Sequence, residues 1–421
     1  MGAVQASGAD PLHRSLEKLY LSSPVYPSMQ DVHDDPSLAL RPTTAFVDLD
    51  ALRGNLEAVQ ARVGSARILA IVKANAYGHG LVPVSRALLR FGAHALGVAF
   101  LEEGIALRRA GIEAPVVVLG GIIGNQVSHF LEYDLEITAS SVFKLEQIEE
   151  AARALGKKAR IHLKVDTGME RIGMHWDTAS ALFGAAVRSP HVEIAGVFSH
   201  LANSDARSPN YTRLQLERFL EATSFFERES LPMPPRHLAN SGGILQHPDT
   251  FFDMVRPGIS LYGIYPSFEV ARTVELRPVL SLHTRVVYFK VVRAGSPVSY
   301  DGTWIPEEDT RVVTLPVGYG DGYSRGLSNR ASVLIHGQHH PVVGRVTMDA
   351  TMVDIGESSA YNGDEVVLLG RQGEASITCE DLAEFQGTIP YEVPTALNTR
   401  VPRVYLEGGR PSRPVEPARG A

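Results

Sequence analysis

The apolar run Ile68-Leu-Ala-Ile-Val72 ends directly before Lys73-Ala-Asn-Ala-Tyr-Gly-His-Gly80, a polar segment with glycine near its end. The run is typical of a buried strand, and the segment is typical of the turn that follows one. A lysine at the mouth of a water-poor pocket loses its proton readily and can form a Schiff base with an aldehyde. A strand-end lysine more often extends to solvent, so the interpretation of Lys73 depends on the rest of the chain.

Short apolar runs alternate with helix-like stretches from about residue 43 to residue 282. The eight runs lie at 69–72, 95–99, 115–119, 135–138, 160–165, 194–199, 236–239 and 254–256. Helical periodicity lies between them, as at 101–110, 141–155, 178–188 and 211–229. An eight-fold alternation of strand and helix predicts an α/β fold with a closed parallel (β/α)8 barrel of the TIM type. An open doubly wound sheet usually has fewer strands.

The pattern changes after Arg277-Pro278, where period-two and β-branched runs separated by turn residues predict a mainly antiparallel β domain. These runs lie at 284–292, 311–316, 331–335, 341–346, 351–354 and 365–369. We therefore expect a disordered extension over 1–40, the barrel over 41–283, the β domain over 284–407 and a tail over 408–421. The first strand, near 43–50, is a candidate to pack with the C-terminal domain.

Composition excludes several classes of function. The formal net charge of -7 argues against nucleic acid or an anionic membrane as a partner, because both need a basic face. The single cysteine, Cys379, excludes an internal disulfide and a cysteine-rich zinc site. His336, His339 and His340 flank a hairpin turn without a carboxylate or cysteine nearby, so we expect a surface turn and no metal site. No apolar stretch is long enough to span a membrane, and the first residues lack a secretory signal, so we expect a cytoplasmic protein.

The ends of the predicted barrel strands carry the candidate functional residues, because the carboxyl ends of barrel strands converge on one site. These ends supply Lys73, Lys164, Asp166, Arg171, His200, Asn240-Ser-Gly-Gly243 and Arg256-Pro-Gly-Ile259. The last two segments suit a phosphate held by backbone N–H groups and a hydroxyl, although plain βα turns also use glycine. A strand-end lysine opposite a phosphate site suggests pyridoxal phosphate as the cofactor.

Nine motifs in order along residues 43–407 resemble those of the bacterial alanine racemase family. They are 72–80, 164–169 with 171–173, 199–200, 240–241, 256–259, 298–300, 318–322, 344–349 and 391–394. The resemblance implies a homodimer with shared active sites that interconverts L-alanine and D-alanine and supplies D-alanine for peptidoglycan.

The resemblance also implies roles for four catalytic residues. Lys73 would bind pyridoxal phosphate and act as the base for the D-amino acid. Tyr300, from the second subunit, would be the opposing base for the L-amino acid. His200 would stabilise the phenolate of Tyr300 and hydrogen-bond to Arg256, which would face the pyridine nitrogen of the cofactor. Two bases make chemical sense, because inverting a stereocentre requires proton transfer on both faces.

Further residues are implied for binding. The phosphate would be held by Ser241, Gly258, Ile259, Tyr77 and Tyr391. The substrate carboxylate would be bound by Arg171 and by the backbone N–H of Met348 from the partner, with Tyr319 narrowing the entrance. In relatives the lysine that matches Lys164 carries a carbamate. The alternative is that Asp166 neutralises the positive charge of Lys164.

Other functions stay open at this point. A broad-specificity or serine racemase would use the same residues, although secreted relatives of that kind usually carry a signal segment and a cysteine pair. A pyridoxal phosphate decarboxylase with the same domain plan would favour an acidic residue at the pyridine nitrogen, which Arg256 is not. A non-catalytic pyridoxal phosphate carrier would not need residues 284–407.

Overall fold

A closed barrel followed by a β domain forms the structure, a computed structural model that describes residues 41–412. The expected fold class is therefore confirmed. The extension expected over 1–40, and the part of the tail from residue 413 onward, lie outside the described residues.

The barrel contains eight parallel strands. The strands up to residue 255 are β1 (Thr44–Asp48), β2 (Arg67–Ile71), β3 (Ala95–Val98), β4 (Val116–Val118), β5 (Glu136–Ala139), β6 (Ala159–Asp166), β7 (Met174–His175), β8 (Val192–Phe198), β9 (Arg236–His237) and β10 (Met254–Val255). Parallel pairing runs in the order β2-β3-β4-β5-β6-β8-β9-β10 and returns to β2, which closes the ring. Each of the eight apolar runs overlaps one strand of this ring. Strands such as β3 and β4 are buried along their whole length, which explains their continuous apolar sequences.

Helices cover the outside of the barrel and also occur in the β domain. They are α1 (Leu49–Val63), α2 (Leu81–Arg90), α3 (Leu101–Arg109), α4 (Val127–Glu132), α5 (Val142–Ala154), α6 (Ala179–Arg188), α7 (Asn210–Arg228), α8 (Ser241–Gln246), α9 (Cys379–Gln386) and α10 (Glu392–Ala396). Side chains cap several of them. The hydroxyl of Thr378 accepts from the N–H of Asp381 and caps the start of α9.

The remaining strands build the β domain. They are β11 (Leu280–Arg285), β12 (Tyr288–Val292), β13 (Thr310–Leu315), β14 (Ser332–Ile335), β15 (Gln338–Pro341), β16 (Thr351–Gly356), β17 (Glu365–Gln372), β18 (Ala375–Ile377), β19 (Arg403–Glu407) and β20 (Arg410–Pro411). The larger sheet has the order β15-β14-β17-β11-β1-β19-β20, with β18 beside β17, and a smaller sheet has the order β12-β13-β16. All pairs are antiparallel except β1 with β19.

Strand β1 pairs with β11 and β19 and takes no part in the barrel ring. The two ends of the described chain thus meet in one sheet. The domain boundaries expected at residues 283 and 407 stay predictions.

The predicted bounds of two strands in the β domain were wrong. The run expected at 284–292 is divided between β11 and β12, which lie in different sheets. The strand expected at 341–346 is instead β15, because the turn at His336-Gly337 reverses the chain directly after β14.

No helix within residues 41–412 is long and apolar enough to cross a membrane. In the same range, no group of three or more His, Cys, Asp or Glu side chains is close enough together to hold a metal ion.

Gly263 lies where the chain leaves the barrel for the β domain, and this position has no room for a side chain. Its φ is +77°, and a Cβ atom there would lie 1.8 Å from the backbone oxygen of Arg277. Gly111 has the same φ of +77° but would meet nothing within 4 Å. The two glycines therefore separate the cost of a left-handed backbone from the cost of a steric clash.

We predict that Gly111→Ala lowers the free energy of unfolding by about 1 kcal/mol, the cost of the left-handed conformation alone. Gly263→Ala should lower it by about 3 kcal/mol, because backbone atoms must also move. Urea unfolding at one protein concentration measures both values. Equal losses in the two variants would contradict a tight contact at Gly263.

Candidate active site

The segment after β2 is a left-handed turn, Lys73–Tyr77. Ala74, Asn75, Ala76 and Tyr77 all have φ between 52° and 55°. Four consecutive non-glycine residues in this region are costly, by about 1–2 kcal/mol each, so the surroundings must stabilise them. Strain of this kind is typical of functional sites.

Two side-chain contacts hold the turn. The Ala74 N–H donates to Oε1 of Glu103 at 2.6 Å, and the Leu81 N–H donates to Oδ1 of Asn75 at 2.8 Å. Glu103 also accepts the N–H of Ala99 at 2.8 Å, at the end of the neighbouring strand. The sequence reasoning missed Glu103, although an acidic residue in the first turn of a predicted helix was a usable signal.

Lys73 is half-buried beside cationic groups. Burial, with Arg171 and Arg256 nearby, lowers the pKa of its amine, and Glu103 opposes this shift in part. A lowered pKa increases the fraction of neutral amine at neutral pH. The residue is therefore suited to act as a nucleophile and base, as the sequence predicts for it.

Arg256 is the central donor beneath this site and is 3% exposed. Its Nη1 donates to the His237 carbonyl at 2.7 Å, and its Nη2 donates to the Ser199 carbonyl at 2.6 Å. Nη2 also lies 3.3 Å from Nδ1 of His200, so the expected contact between these two residues is present. Burial lowers the pKa of Arg256 to about 9, which leaves it cationic at neutral pH.

His200 is held neutral by its surroundings. Burial, followed by the charge of Arg256, lowers its pKa well below the usual range. Since a guanidinium only donates hydrogen bonds, Nδ1 of His200 must accept, and its proton lies on Nε2. His200 therefore offers one N–H donor toward any oxygen beside that nitrogen.

A cluster of N–H and hydroxyl groups lies where β9 and β10 end. Ser241 Oγ accepts the N–H groups of Gly258 at 3.0 Å and Ser260 at 3.3 Å, and lies 3.0 Å from Ser260 Oγ. A Cβ atom on Gly258 would lie 2.5 Å from the Tyr77 hydroxyl, so a larger residue there would force the tyrosine side chain to move. The Tyr391 ring lies 6.3 Å from that of Tyr77. Ser260 was missed, because a serine one position after Pro-Gly-Ile carries no separate signal.

Lys164 lies inside the barrel and is 3% exposed. Burial, and then Arg256, lower the pKa of its amine well below the usual range. Its only hydrogen bond within the described chain is a long one of 3.4 Å to the Val165 carbonyl. The Asp166 carboxylate instead accepts backbone N–H groups, including those of Gly168 at 2.8 Å and Arg171 at 3.2 Å. Among residues 41–412 it forms no ion pair with Lys164.

Three predicted site residues lie in the β domain and are exposed. Tyr300, Met348 and Tyr319 have exposed fractions of 70%, 52% and 43%. Within residues 41–412, no hydrogen bond, ion pair or ring contact joins Tyr300 to Lys73 or His200. The structure therefore brings the barrel residues and Tyr391 together, but it does not bring Tyr300, Met348 or Tyr319 to them within one chain.

The loop of Tyr300 is well braced. Val298 and Trp304 form a β-bridge across its base, and Ser299 Oγ donates to the Arg345 carbonyl at 2.8 Å. The Asp301 carboxylate lies 3.3 Å from Nε of Arg345. An exposed tyrosine on a braced loop is suited to contact another molecule.

Tyr319 and Met348 are held together by a charged network that sequence reasoning missed. Arg41 binds both oxygens of Asp321 at 2.6 Å, and Asp321 has no exposed surface. Arg400 joins Asp321, at 3.2 Å, to Asp349, at 2.5 Å. Asp321 lies two positions after Tyr319, and Asp349 directly follows Met348. The partners are 280 or more positions from Arg41, so no local pattern could have indicated them.

Comparisons with known proteins show the family to which the chain belongs. The family model of the alanine racemase N-terminal domain matches residues 47–266, and that of the C-terminal domain matches residues 279–405. The alanine racemase of Symbiobacterium thermophilum is 46% identical over 367 residues, which cover 87% of this chain and 97% of that protein.

Solved structures match as well. Alanine racemase from the D-cycloserine producer Streptomyces lavendulae aligns with a TM-score of 0.83 at 39% identity, covering 87% of this chain and 98% of that one. Alanine racemase from Bartonella henselae, a structure with covalently bound pyridoxal phosphate, has a TM-score of 0.80 at 29% identity, covering 87% and 99%. From its sequence, its fold and the residues gathered at the barrel mouth, the chain belongs to the alanine racemase family, isomerases that interconvert the enantiomers of alanine.

Proposed function

We propose that the chain racemises alanine with pyridoxal phosphate, using Lys73 as one base and Tyr300 of a second copy as the other. The observation that carries the proposal is that the Tyr300 side chain is 70% exposed. Among residues 41–412, it forms no hydrogen bond, ion pair or ring contact with Lys73. Two bases must lie on opposite faces of the same carbon to invert it. A homodimer with shared sites meets this requirement, because each copy offers the group that the other lacks.

The barrel mouth fits pyridoxal phosphate. Among residues 41–412, the buried N–H of Ile259 has no acceptor, and Gly258 and Ser260 direct their N–H groups to Ser241 Oγ. Backbone N–H groups beside a serine hydroxyl suit a phosphate. Burial raises the pKa values of Tyr77 and Tyr391, so both phenols stay protonated and can donate.

The other end of the cofactor also has suitable partners. Pyridoxal phosphate, when bound, supplies an aldehyde for amines and a conjugated ring that withdraws electrons from the substrate Cα. Lys73 would hold the aldehyde. Arg256 would face the ring nitrogen, because its Nε–H has no acceptor among the described residues, whereas Nη1 and Nη2 are occupied.

Arg256 favours racemisation over competing chemistry. A guanidinium keeps its protons, so a ring nitrogen that accepts from it stays unprotonated and withdraws fewer electrons. Weak electron withdrawal favours prompt return of a proton to Cα. Decarboxylation would be favoured by a carboxylate at this position. Arg256 therefore argues against a decarboxylase.

His200 gives Tyr300 the environment that a phenolic base needs. A phenol has a pKa near ~10 in water and is a poor base unless its anion is stabilised. The Nε2–H of His200 would donate to the phenolate oxygen of the partner's Tyr300, and Arg256 fixes that imidazole from the other side. Tyr300 can then remove or return a proton on the face opposite Lys73.

Substrate binding follows the same division between copies. Arg171 carries an exposed guanidinium at the barrel mouth and would bind the substrate carboxylate as a charge-assisted donor. The backbone N–H of Met348 and the ring of Tyr319, both from the second copy, would complete the pocket and limit the size of the side chain. This limit favours alanine over larger substrates.

Lys164 is proposed to be carbamylated. A buried amine with a lowered pKa and one weak hydrogen bond can react in its neutral form with CO2 and release a proton, and the resulting anion would face Arg171, a partner that the free amine cannot have. Carbon-13-labelled bicarbonate should then give a carbamate NMR signal that is absent in Lys164→Ala. Without such a signal in the unmodified protein, the amine is free.

The biological role follows from the product. We propose that the D-alanine supplies peptidoglycan synthesis. The cytoplasmic location expected from the sequence stays a prediction.

We predict that Tyr300→Phe lowers racemisation in both directions by at least about a hundredfold, because enantiomers have equal free energies and one proton-transfer group is lost. In D2O, the variant should still exchange the α-proton of D-alanine through Lys73 but should not exchange that of L-alanine. Proton NMR with chiral analysis measures exchange and racemisation separately. Exchange of both enantiomers at similar rates would contradict the assignment of one base to each face.

Lys73→Ala is the matched control. It should lose exchange of the α-proton of D-alanine, because Lys73 is the base for that enantiomer, and the cofactor bound to it should no longer be fixed to the protein by borohydride. Tyr300→Phe should keep that reducible attachment. A reducible adduct in Lys73→Ala would mean that the cofactor is attached to another amine.

A further inference from the structure

A line of buried polar side chains crosses the inside of the barrel from Arg256 to Glu136. Arg256 Nη1 lies 3.0 Å from His237 Nδ1, and His237 Nε2 lies 2.9 Å from His162 Nδ1. His162 Nε2 lies 2.7 Å from Glu136 Oε2. None of the four residues is more than 8% exposed. The line therefore connects the candidate site to a carboxylate on β5 that no motif indicated.

The direction of these hydrogen bonds is fixed by the two ends. A guanidinium only donates, and an ionised carboxylate only accepts. Each imidazole between them must then accept on Nδ1 and donate from Nε2, so His237 and His162 are both neutral with the proton on Nε2. Burial lowers the pKa of His237 well below the usual range, with Arg256 the next cause, which agrees with a neutral ring.

Glu136 is ionised in this arrangement. Its burial would raise the pKa of the carboxyl, but the hydrogen bond from His162 and the charges of Arg160 and Arg108 outweigh burial and lower it. Arg160 Nε lies 3.4 Å from the second oxygen, Oε1. The Glu136 carboxylate, at the far end of the line, therefore only accepts hydrogen bonds.

The tautomer of His237 matters at the reaction centre. A proton on His237 Nδ1 would point at the N–H of Arg256, and the two donors would repel each other. Among residues 41–412, Arg256 has no carboxylate in direct contact. Glu136 is the carboxylate that hydrogen bonds connect to Arg256, by way of the two imidazoles.

We propose that Glu136 is a positioning residue, which selects the Nε2–H tautomers of His162 and His237 and so holds Arg256 in place to orient His200. The inference deepens the proposed function and rests on it. Glu136 touches neither substrate nor cofactor and acts through the two imidazoles alone.

The first test observes the tautomers in the unmodified protein and uses variants only to assign the signals. Nitrogen-15 NMR of the histidine-labelled holoenzyme should give Nε2–H signals for both His162 and His237, assigned with His162→Gln and His237→Gln. An Nδ1–H tautomer on either residue of the unmodified protein would overturn the proposal. This readout does not depend on turnover, so it stands apart from any failure of the racemase assignment.

The second test removes the acceptor. Glu136→Leu should give mixed tautomers at His162 and His237 and lower kcat for alanine by about tenfold or more, with KM changed less than about twofold. Asp134→Asn is the matched control, since Asp134 also contacts Arg160, at 3.2 Å, but lies outside the line. It should leave the tautomers and kcat unchanged. Unaltered tautomers and kcat in a folded Glu136→Leu variant would overturn the role of Glu136.

Discussion

Inverting a carbon centre requires proton transfer on two opposite faces, and we propose that this chain divides those faces between two copies of the molecule. Lys73 lies on a strained turn at the barrel mouth, half-buried among cationic groups that keep its amine reactive. Tyr300 lies on the β domain and is exposed, and among residues 41–412 no hydrogen bond, ion pair or ring contact joins it to Lys73 or His200. In the proposed homodimer, each chain supplies Lys73 to one site and Tyr300 to the other.

Each half is held in place by buried or braced contacts that lie away from the reacting atoms. On the barrel side, Glu103 stabilises the left-handed turn, and the line from Arg256 to Glu136 fixes the donors beneath the site. On the β-domain side, Arg41 and Arg400 link the segments that carry Tyr319 and Met348. The positions of Tyr319 and Met348 are therefore stabilised by ion pairs within the same chain.

The sequence predicted the barrel well, because parallel strands buried on both faces leave continuous apolar runs that can be counted. The residues at the ends of those strands were also found, since barrel topology alone brings them together. Long-range pairing was less accessible. Strand β1 resembles a barrel strand locally, and only its pairing with residues 280–283 and 403–406 assigns it to the β domain. His162, His237 and Glu136 each looked like isolated polar residues in a strand, because their spacing carries no pattern until the barrel closes.

The division of the site between two chains is tested most directly by mixing two inactive variants. Lys73→Ala and Tyr300→Phe, unfolded together and reassembled, should form about half mixed dimers, each with one intact site, and regain about one quarter of the unmodified activity. The double variant Lys73→Ala/Tyr300→Phe mixed with Lys73→Ala should regain none, because no pairing restores Lys73. Failure of the first mixture to recover activity, with mixed dimers present by native mass spectrometry, would contradict the account.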